Sequence, residues 1–432
     1  MTVLRSAAAG GPATLVVSPS LQGHRVIYCR VLAGVLAEEG RRVVVAGDLR
    51  DGAVSGDPLV RDLGAREGVE LVDLGELLHG RAVPARDLAA LAARAGADTV
   101  LLAEADDFAA ELGILHRVPG ARAGLRVVGL FVRSTNYQYN ARPTTVARAT
   151  RSLKRRFGRA TGWEEFHTRA LRGQGLVDAA LVLDERYAHE HPRTHSWLPD
   201  IFREFDEPVA AADDETARWE QRLHEYLAAA GARPVLTYVG TNQHRRGYDT
   251  LLRLALEVDG CVVHCGRFVV HGEPSDAEVT ALRAELEARG ALFETGGPYV
   301  RPETAGVFLR AARCVVLPYR QHDGSSGVML QALATGRPVL VPDRGLMAYR
   351  ARTFGLGVAF REGDAADLRR RFAGLQARGP GEYAARLDAY MGFFSRTQVA
   401  AAVRAAVAGA GPGARLPQEA LRAPAAERTD VR

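Results

Sequence analysis

Val315 to Asp343 reads VVLPYRQHDGSSGVMLQALATGRPVLVPD. Two short apolar, β-branched runs, Val315–Leu317 and Pro338–Val341, bracket a polar glycine-rich loop and an apolar segment predicted as a helix from about Ser326 to Thr335. Strand, tight loop, helix and strand make a βαβ unit. The loop His322–Gly327 then falls at the C-terminal end of the first strand and opens the helix. Open α/β sheets bind ligands at that place, and unpaired N–H groups with the helix dipole favour a phosphate there. Ser325 and Ser326 add hydroxyls, and Gly324 and Gly327 let a ligand approach the backbone. The same residues also suit an ordinary βα turn, with serine as N-cap and the glycines serving only tightness. Gly336 stops the helix and Pro338 blocks its continuation.

On Pro318, Gly324, Ala332, Gly336, Pro338 and Val339 this segment resembles the "PS…E-G-F-G…L-E-A-M-A-x-G-x-P-V" frame of retaining glycosyltransferases of the GT-B fold, family 4 and its relatives. The resemblance implies two Rossmann-like domains facing each other across a cleft, with a C-terminal helix crossing back to the first. In the family one glutamate approaches the donor sugar and a second, further along, holds the ribose. Here Asp323 and Gln331 stand in those places. Asp keeps the charge on a shorter arm, and Gln keeps hydrogen bonding to a diol without the charge.

At 432 residues the chain accommodates two domains, each able to bury its own core. Its 47% hydrophobic and 25% charged residues are those of a globular protein. A net charge of +5 is dispersed and nearly all arginine, Lys154 being the only lysine, so nucleic-acid binding is not indicated. This bias, with abundant Ala and Gly, fits high-GC coding and an actinobacterial-type biosynthetic enzyme. The basic stretch Arg148–Arg159 suits a solvated helix face, or at most peripheral contact with a membrane. Cys261-Val-Val-His-Cys265 has a metal-like spacing but reads as a buried strand, and no second Cys/His pair completes a site; no metal and no cofactor beyond the co-substrate are expected. Without a membrane-spanning run or a secretory signal, the expected location is cytoplasmic.

In chain order, Thr14–Ser18, a loop Pro19–His24, a helix to about Glu39 and the strand Arg42–Ala46 open a Rossmann-like domain. Strands follow at Val69–Val72, Thr99–Leu102, Arg126–Val132 and Ala179–Leu183, with helices near Pro84–Ala95, Phe108–Leu115, Thr144–Phe157 and Trp163–Arg172. By the resemblance, Gly23 and His24 occupy the family's first glycine loop, between donor and acceptor, with Gly23 a candidate donor contact and His24 either a catalytic contact to donor phosphate or acceptor or an ordinary N-terminal helix residue. The polar, aromatic run Arg133–Asn140 suits a polyhydroxyl acceptor, with Arg133, Asn136 and Tyr137 as candidate contacts. The expected domains are 13–203 for the acceptor, 213–392 for the nucleotide sugar, a returning helix 393–408, and a disordered tail 409–432.

In the second half, the strand Pro234–Val239 leads into the loop Gly240–Gly247 and the helix Tyr248–Glu257. This is similar to the family's "G-R-…-K-G" diphosphate element. Gly240 and Gly247 match, Thr241 replaces its arginine, Arg246 its lysine, and Arg245 can supply the displaced charge. Two guanidiniums can neutralise a departing diphosphate without a metal. The resemblance further implies donor contacts at Gly266 and Arg267, after the strand Val262–Cys265, and at Tyr299 near the nucleobase. The expected function is retaining transfer of a sugar from a nucleoside-diphosphate sugar to a small-molecule or lipid-linked acceptor, by a monomer or homodimer. The altered Asp323/Gln331 pair keeps two alternatives: a pseudo-glycosyltransferase or sugar epimerase, and a silent family member acting as a binding subunit.

Overall fold

A computed structural model describes residues 13–18, 20–74, 85–108, 124–132, 177–190, 192, 195–202, 214–270, 276–296, 302–409 and 416–417. The chain divides into two compact units, Met1–Phe205 with Phe394–Leu416, and Asp206–Phe393 with Pro417–Arg432. The expected helices Thr144–Phe157 and Trp163–Arg172, nearly all of Phe108–Leu115, and the loop Arg133–Asn140 lie outside the described residues.

The first unit is built on a seven-stranded parallel sheet: β1 (Ala13–Val17), β2 (Arg42–Gly47), β3 (Val69–Asp73), β4 (Ala97–Leu102), β5 (Arg126–Phe131), β6 (Ala179–Val182) and β7 (His195–Trp197). They lie in the order β3-β2-β1-β4-β5-β6-β7. Val-rich strands with almost no alternation belong in a sheet covered on both faces, and β1, β2 and β5 are buried along nearly their whole length. The helix His24–Glu38 follows β1, and ten of its residues from Val26 to Leu36 are buried. The helix Arg396–Ala408, capped by Ser395 on the N–H of Gln398, packs on the same unit. Arg126 donates twice to the carbonyl of its Ala406, and Phe394 meets the ring of Trp197 edge-on.

The second unit repeats the design. Here β8 (Val235–Val239), β9 (Cys261–Cys265) and β10 (Leu292–Glu294) pair in parallel as β10-β9-β8, and β11 (Val315–Val316), β12 (Val339–Pro342) and β13 (Gly357–Phe360) as β11-β12-β13. Strand β11 lies beside β8, so the run is β10-β9-β8-β11-β12-β13. Each unit thus grows outward from its first strand in one direction and then the other. That reversal is the doubly wound Rossmann arrangement, which opens a crevice at the C-terminal ends of the two central strands. All four cysteines are buried and unbridged; Cys261 and Cys265 lie in β9, as core residues. Burial pushes the thiols of Cys29 and Cys314 up to about 12. No helix among the described residues is long and apolar enough to cross a membrane.

Candidate functional site

In the second unit the strand order reverses between β8 and β11, and the loops that follow them converge. After β8 the chain runs Gly240-Thr-Asn-Gln, makes a 3₁₀ turn over His244–Arg246, and enters the helix Tyr248–Glu257 through Gly247. Gly247 has φ 66°, and a Cβ there would sit 2.0 Å from the carbonyl oxygen of Pro318. Only a glycine lets the two loops touch. Across the same seam the amide of Arg320 donates to the carbonyl of Arg245 at 2.8 Å. The Arg320 guanidinium reaches the His244 carbonyl, Asp249 and Thr250. A third loop, after β9, is tied in by Asn242, whose amide donates to the Val269 carbonyl at 2.8 Å and accepts from the Val269 N–H at 2.7 Å.

This framework holds the candidate donor residues. Arg245 is exposed and donates to Gln243 at 2.9 Å, and Arg246 is half-buried and donates to the Val239 carbonyl at 3.3 Å. Gly240 has φ 100°, and a Cβ there would meet Arg246 Nη1 at 2.5 Å, so the guanidinium flanks the loop's first residue. Thr241 is half-buried, Gly266 is buried and Arg267 exposed. His322 comes within electrostatic reach of Arg245 and Arg246. Burial, with those two charges, holds its imidazole below the usual histidine range, although its Nε2 also donates to the Ser325 carbonyl at 3.1 Å.

Ser326 accepts from the N–H of Met329 at 3.2 Å and caps the helix Gly327–Ala334. The cap role is therefore present, whatever else the loop binds. Ser325 accepts from Arg350, a fully buried arginine of the helix Gly345–Thr353, at 2.8 Å. Gly324 is buried, Gly327 exposed, and Gln331 half-buried on the helix. Asp323, in the place of the family's first glutamate, is not a solitary carboxylate. It is 4% exposed, and both its oxygens accept from Arg344, at 2.9 and 3.1 Å. A buried carboxylate without a partner is costly, and this fork supplies one. Each carboxylate oxygen keeps a second lone-pair direction for another donor. Glu362 accepts from the N–H of Gln321, a non-glycine residue at φ 50°, and lies 3.5 Å from Arg344. Tyr299 lies outside the described residues.

The first unit brings a second set of groups to its own reversal, between β1 and β4. Gly23, with φ 59° and ψ −131°, precedes the helix His24–Glu38. The His24 side chain is 62% exposed, and its Nε2 lies 3.0 Å from Glu104, a 4%-exposed carboxylate after β4 that Arg25 also pairs at 2.6 Å. Arg133, Asn136 and Tyr137 lie outside the described residues. Among the described residues no group of three or more His, Cys, Asp or Glu could hold a metal ion.

Two parallel doubly wound units, with a C-terminal helix grouped with the first, constitute the GT-B fold. Residues 233–377 match the family described as Glycosyl transferases group 1, a stretch that takes in the whole convergence of loops. Solved structures agree on the fold. Sucrose-phosphate synthase from Thermosynechococcus elongatus is 17% identical with a TM-score of 0.58, over 90% of this chain and 96% of that one. HepE from Anabaena in complex with UDP is 12% identical with a TM-score of 0.59, over 92% and 100%. The same Anabaena protein in complex with UDP-glucose gives 11% and 0.58, again over 92% and 100%. No curated protein sequence matches the chain.

Sequence reasoning missed Arg344, Arg350, Glu104 and Asn242. A lone arginine in an arginine-rich chain carries no signal. Glu104 and Asn242 follow strand ends, where a polar residue invites inspection.

Proposed function

We propose that the chain is a retaining, metal-independent glycosyltransferase taking a nucleoside-diphosphate sugar as donor and a small-molecule or lipid-linked hydroxyl compound as acceptor. One observation carries this reading: the loops after β8 and β11 touch at Gly247 and Pro318, so that Arg245, Arg246 and the Ser326-capped helix converge at the sheet's reversal. The match to Glycosyl transferases group 1 over 233–377 supports it, as do the UDP and UDP-glucose held by the similarly folded Anabaena protein. Arg245 and Arg246 neutralise the departing diphosphate, whose charge grows as the glycosidic bond breaks. Asp323, held by Arg344, accepts from sugar hydroxyls through its remaining lone pairs, and Gln331 bonds the ribose. The sugar bond to the leaving phosphate breaks, the acceptor oxygen bonds the anomeric carbon on the same face, and the leaving phosphate takes the acceptor proton. Gly23 and His24 belong to the acceptor side.

The test is incubation with UDP-, GDP-, ADP- and dTDP-sugars and candidate acceptors, with detection of released diphosphate and NMR of the product's anomeric centre. A product of retained configuration supports the reading, and an inverted product overturns the retaining course. A product epimerised without transfer supports the epimerase alternative. Binding without any product supports the silent subunit.

A further inference from the structure

His264 is a polar residue in the middle of an otherwise apolar strand, CVVHC, and it is fully buried. Its Nε2 lies 2.8 Å from the carbonyl oxygen of Gly240, and its Nδ1 2.7 Å from Glu294 Oε1 and 3.3 Å from the hydroxyl of Tyr248. A carbonyl only accepts, so Nε2 donates to Gly240. Burial alone would raise the Glu294 carboxyl, but His264 and Arg283 outweigh it and hold it below the usual carboxylate range. One residue on, the carbonyl of Thr241 accepts from the hydroxyl of Tyr238 at 2.9 Å and from the N–H of Gln243 at 2.8 Å. Tyr238 and His264 pack against each other, ring centroids 5.2 Å apart. Two consecutive carbonyls are thus drawn toward buried ring groups.

In a trans peptide the C=O and the next N–H point in opposite directions, and no cis bond occurs among the described residues. Fixing the Gly240 and Thr241 carbonyls on one side therefore turns the N–H groups of Thr241 and Asn242 to the other. Among the described residues those two N–H groups make no hydrogen bond, although Asn242 is only 5% exposed. Buried N–H groups are rarely left unpaired, and successive ones form an anion-binding concavity. The guanidinium of Arg246 flanks the same residue, Gly240.

We propose that His264 is a positioning residue of the donor site: by holding the Gly240 carbonyl it presents the amides of Thr241 and Asn242, beside Arg246, to the diphosphate of the donor. This rests on the reading of the Gly240–Gly247 loop as the diphosphate site. His264 touches no ligand itself and acts through the peptide plane.

The test is calorimetric titration of the full chain with a nucleoside diphosphate (UDP first, then GDP, ADP and dTDP) and with the matching nucleoside. His264→Leu should weaken the diphosphate by about tenfold or more, the worth of one hydrogen bond to a charged group, and leave the nucleoside within about twofold. His264→Gln, which returns an amide N–H toward Gly240, should recover most of the loss. A merely structural histidine would instead weaken both ligands alike, and that result, or undiminished diphosphate binding, overturns the proposal. If His264→Leu does not fold, Tyr238→Phe, which deletes one oxygen and keeps the core volume, carries the same comparison through the Thr241 peptide. Wild-type protein that binds no nucleoside diphosphate would overturn the donor-site reading itself.

Discussion

Gly247→Ala is the substitution whose cost follows most directly from the geometry. The residue sits at φ 66°, and its added Cβ would lie 2.0 Å from the Pro318 carbonyl oxygen and 2.9 Å from the carbonyl carbon. The left-handed backbone alone costs an alanine about 1–2 kcal/mol. The contact adds an overpacking term of about 1–3 kcal/mol, because both partners are backbone and no rotamer can yield. Together they predict a loss of about 2–5 kcal/mol, which lowers Tm by roughly 5–15 °C for a unit of this size. The loops must also separate, carrying Arg245 away from its bond with Arg320, so the donor KM should rise more than kcat falls. Gly290→Ala is the control: it has φ 60° at a helix end but open space around its Cβ position, and it should cost only the backbone part. Scanning calorimetry and steady-state kinetics read both. A Gly247→Ala protein with Tm within about 2 °C of wild type and an unchanged donor KM would refute the claim that this contact welds the two loops.

Arg246→Ala should lower kcat/KM by roughly tenfold to a hundredfold, the worth of a hydrogen bond to a charged group, while Tm falls by no more than a few degrees. The folded-state pKa of His322 is depressed by burial. Below about pH 6.5 the unfolded chain therefore takes up a proton that the native chain refuses, so stability is full above that pH and declines as pH falls toward the native value. His322→Gln should flatten that limb in denaturant titrations across pH 4.5–8 (about that range brackets an ordinary histidine). Cys29 and Cys314, with thiols pushed up to about 12, should resist iodoacetamide at mildly alkaline pH in the native protein and react on unfolding, as read by mass spectrometry. Arg350→Met should strip the Ser325 hydroxyl of its 2.8 Å donor and reduce turnover, and restoration by Arg350→Lys would show that charge at this depth matters more than the guanidinium fork.

The fold was legible where burial writes itself into composition. Runs such as Val43–Ala46 and Val127–Phe131 have no polar face, and that marks strands covered on both sides; the helix Tyr248–Glu257 falls where its preceding glycine predicts. The β8 loop and its glycines were legible too, because a left-handed residue beside another backbone leaves a fixed glycine in the sequence. The helix Gly345–Thr353 and the strand Gly357–Phe360 were not singled out: the first carries two arginines with no apolar stripe, and the second is four residues long. The partners of the site residues were the least legible. Nothing in the spacing shows that Arg344, twenty-one positions on, closes both oxygens of Asp323, or that Arg350 reaches the hydroxyl of Ser325. Such pairings arise when the sheet places distant strand ends side by side, and sequence distance does not encode them.

The central claim is that the second unit binds a nucleoside diphosphate at the Gly240–Gly247 and His322–Gly327 loops. Isothermal titration of wild-type protein and of Arg246→Ala with UDP, GDP, ADP and dTDP tests it most directly. The account predicts saturable binding of one diphosphate by the wild type, weakened about tenfold or more in the variant. No binding of any of the four, or equal binding by both proteins, would contradict it.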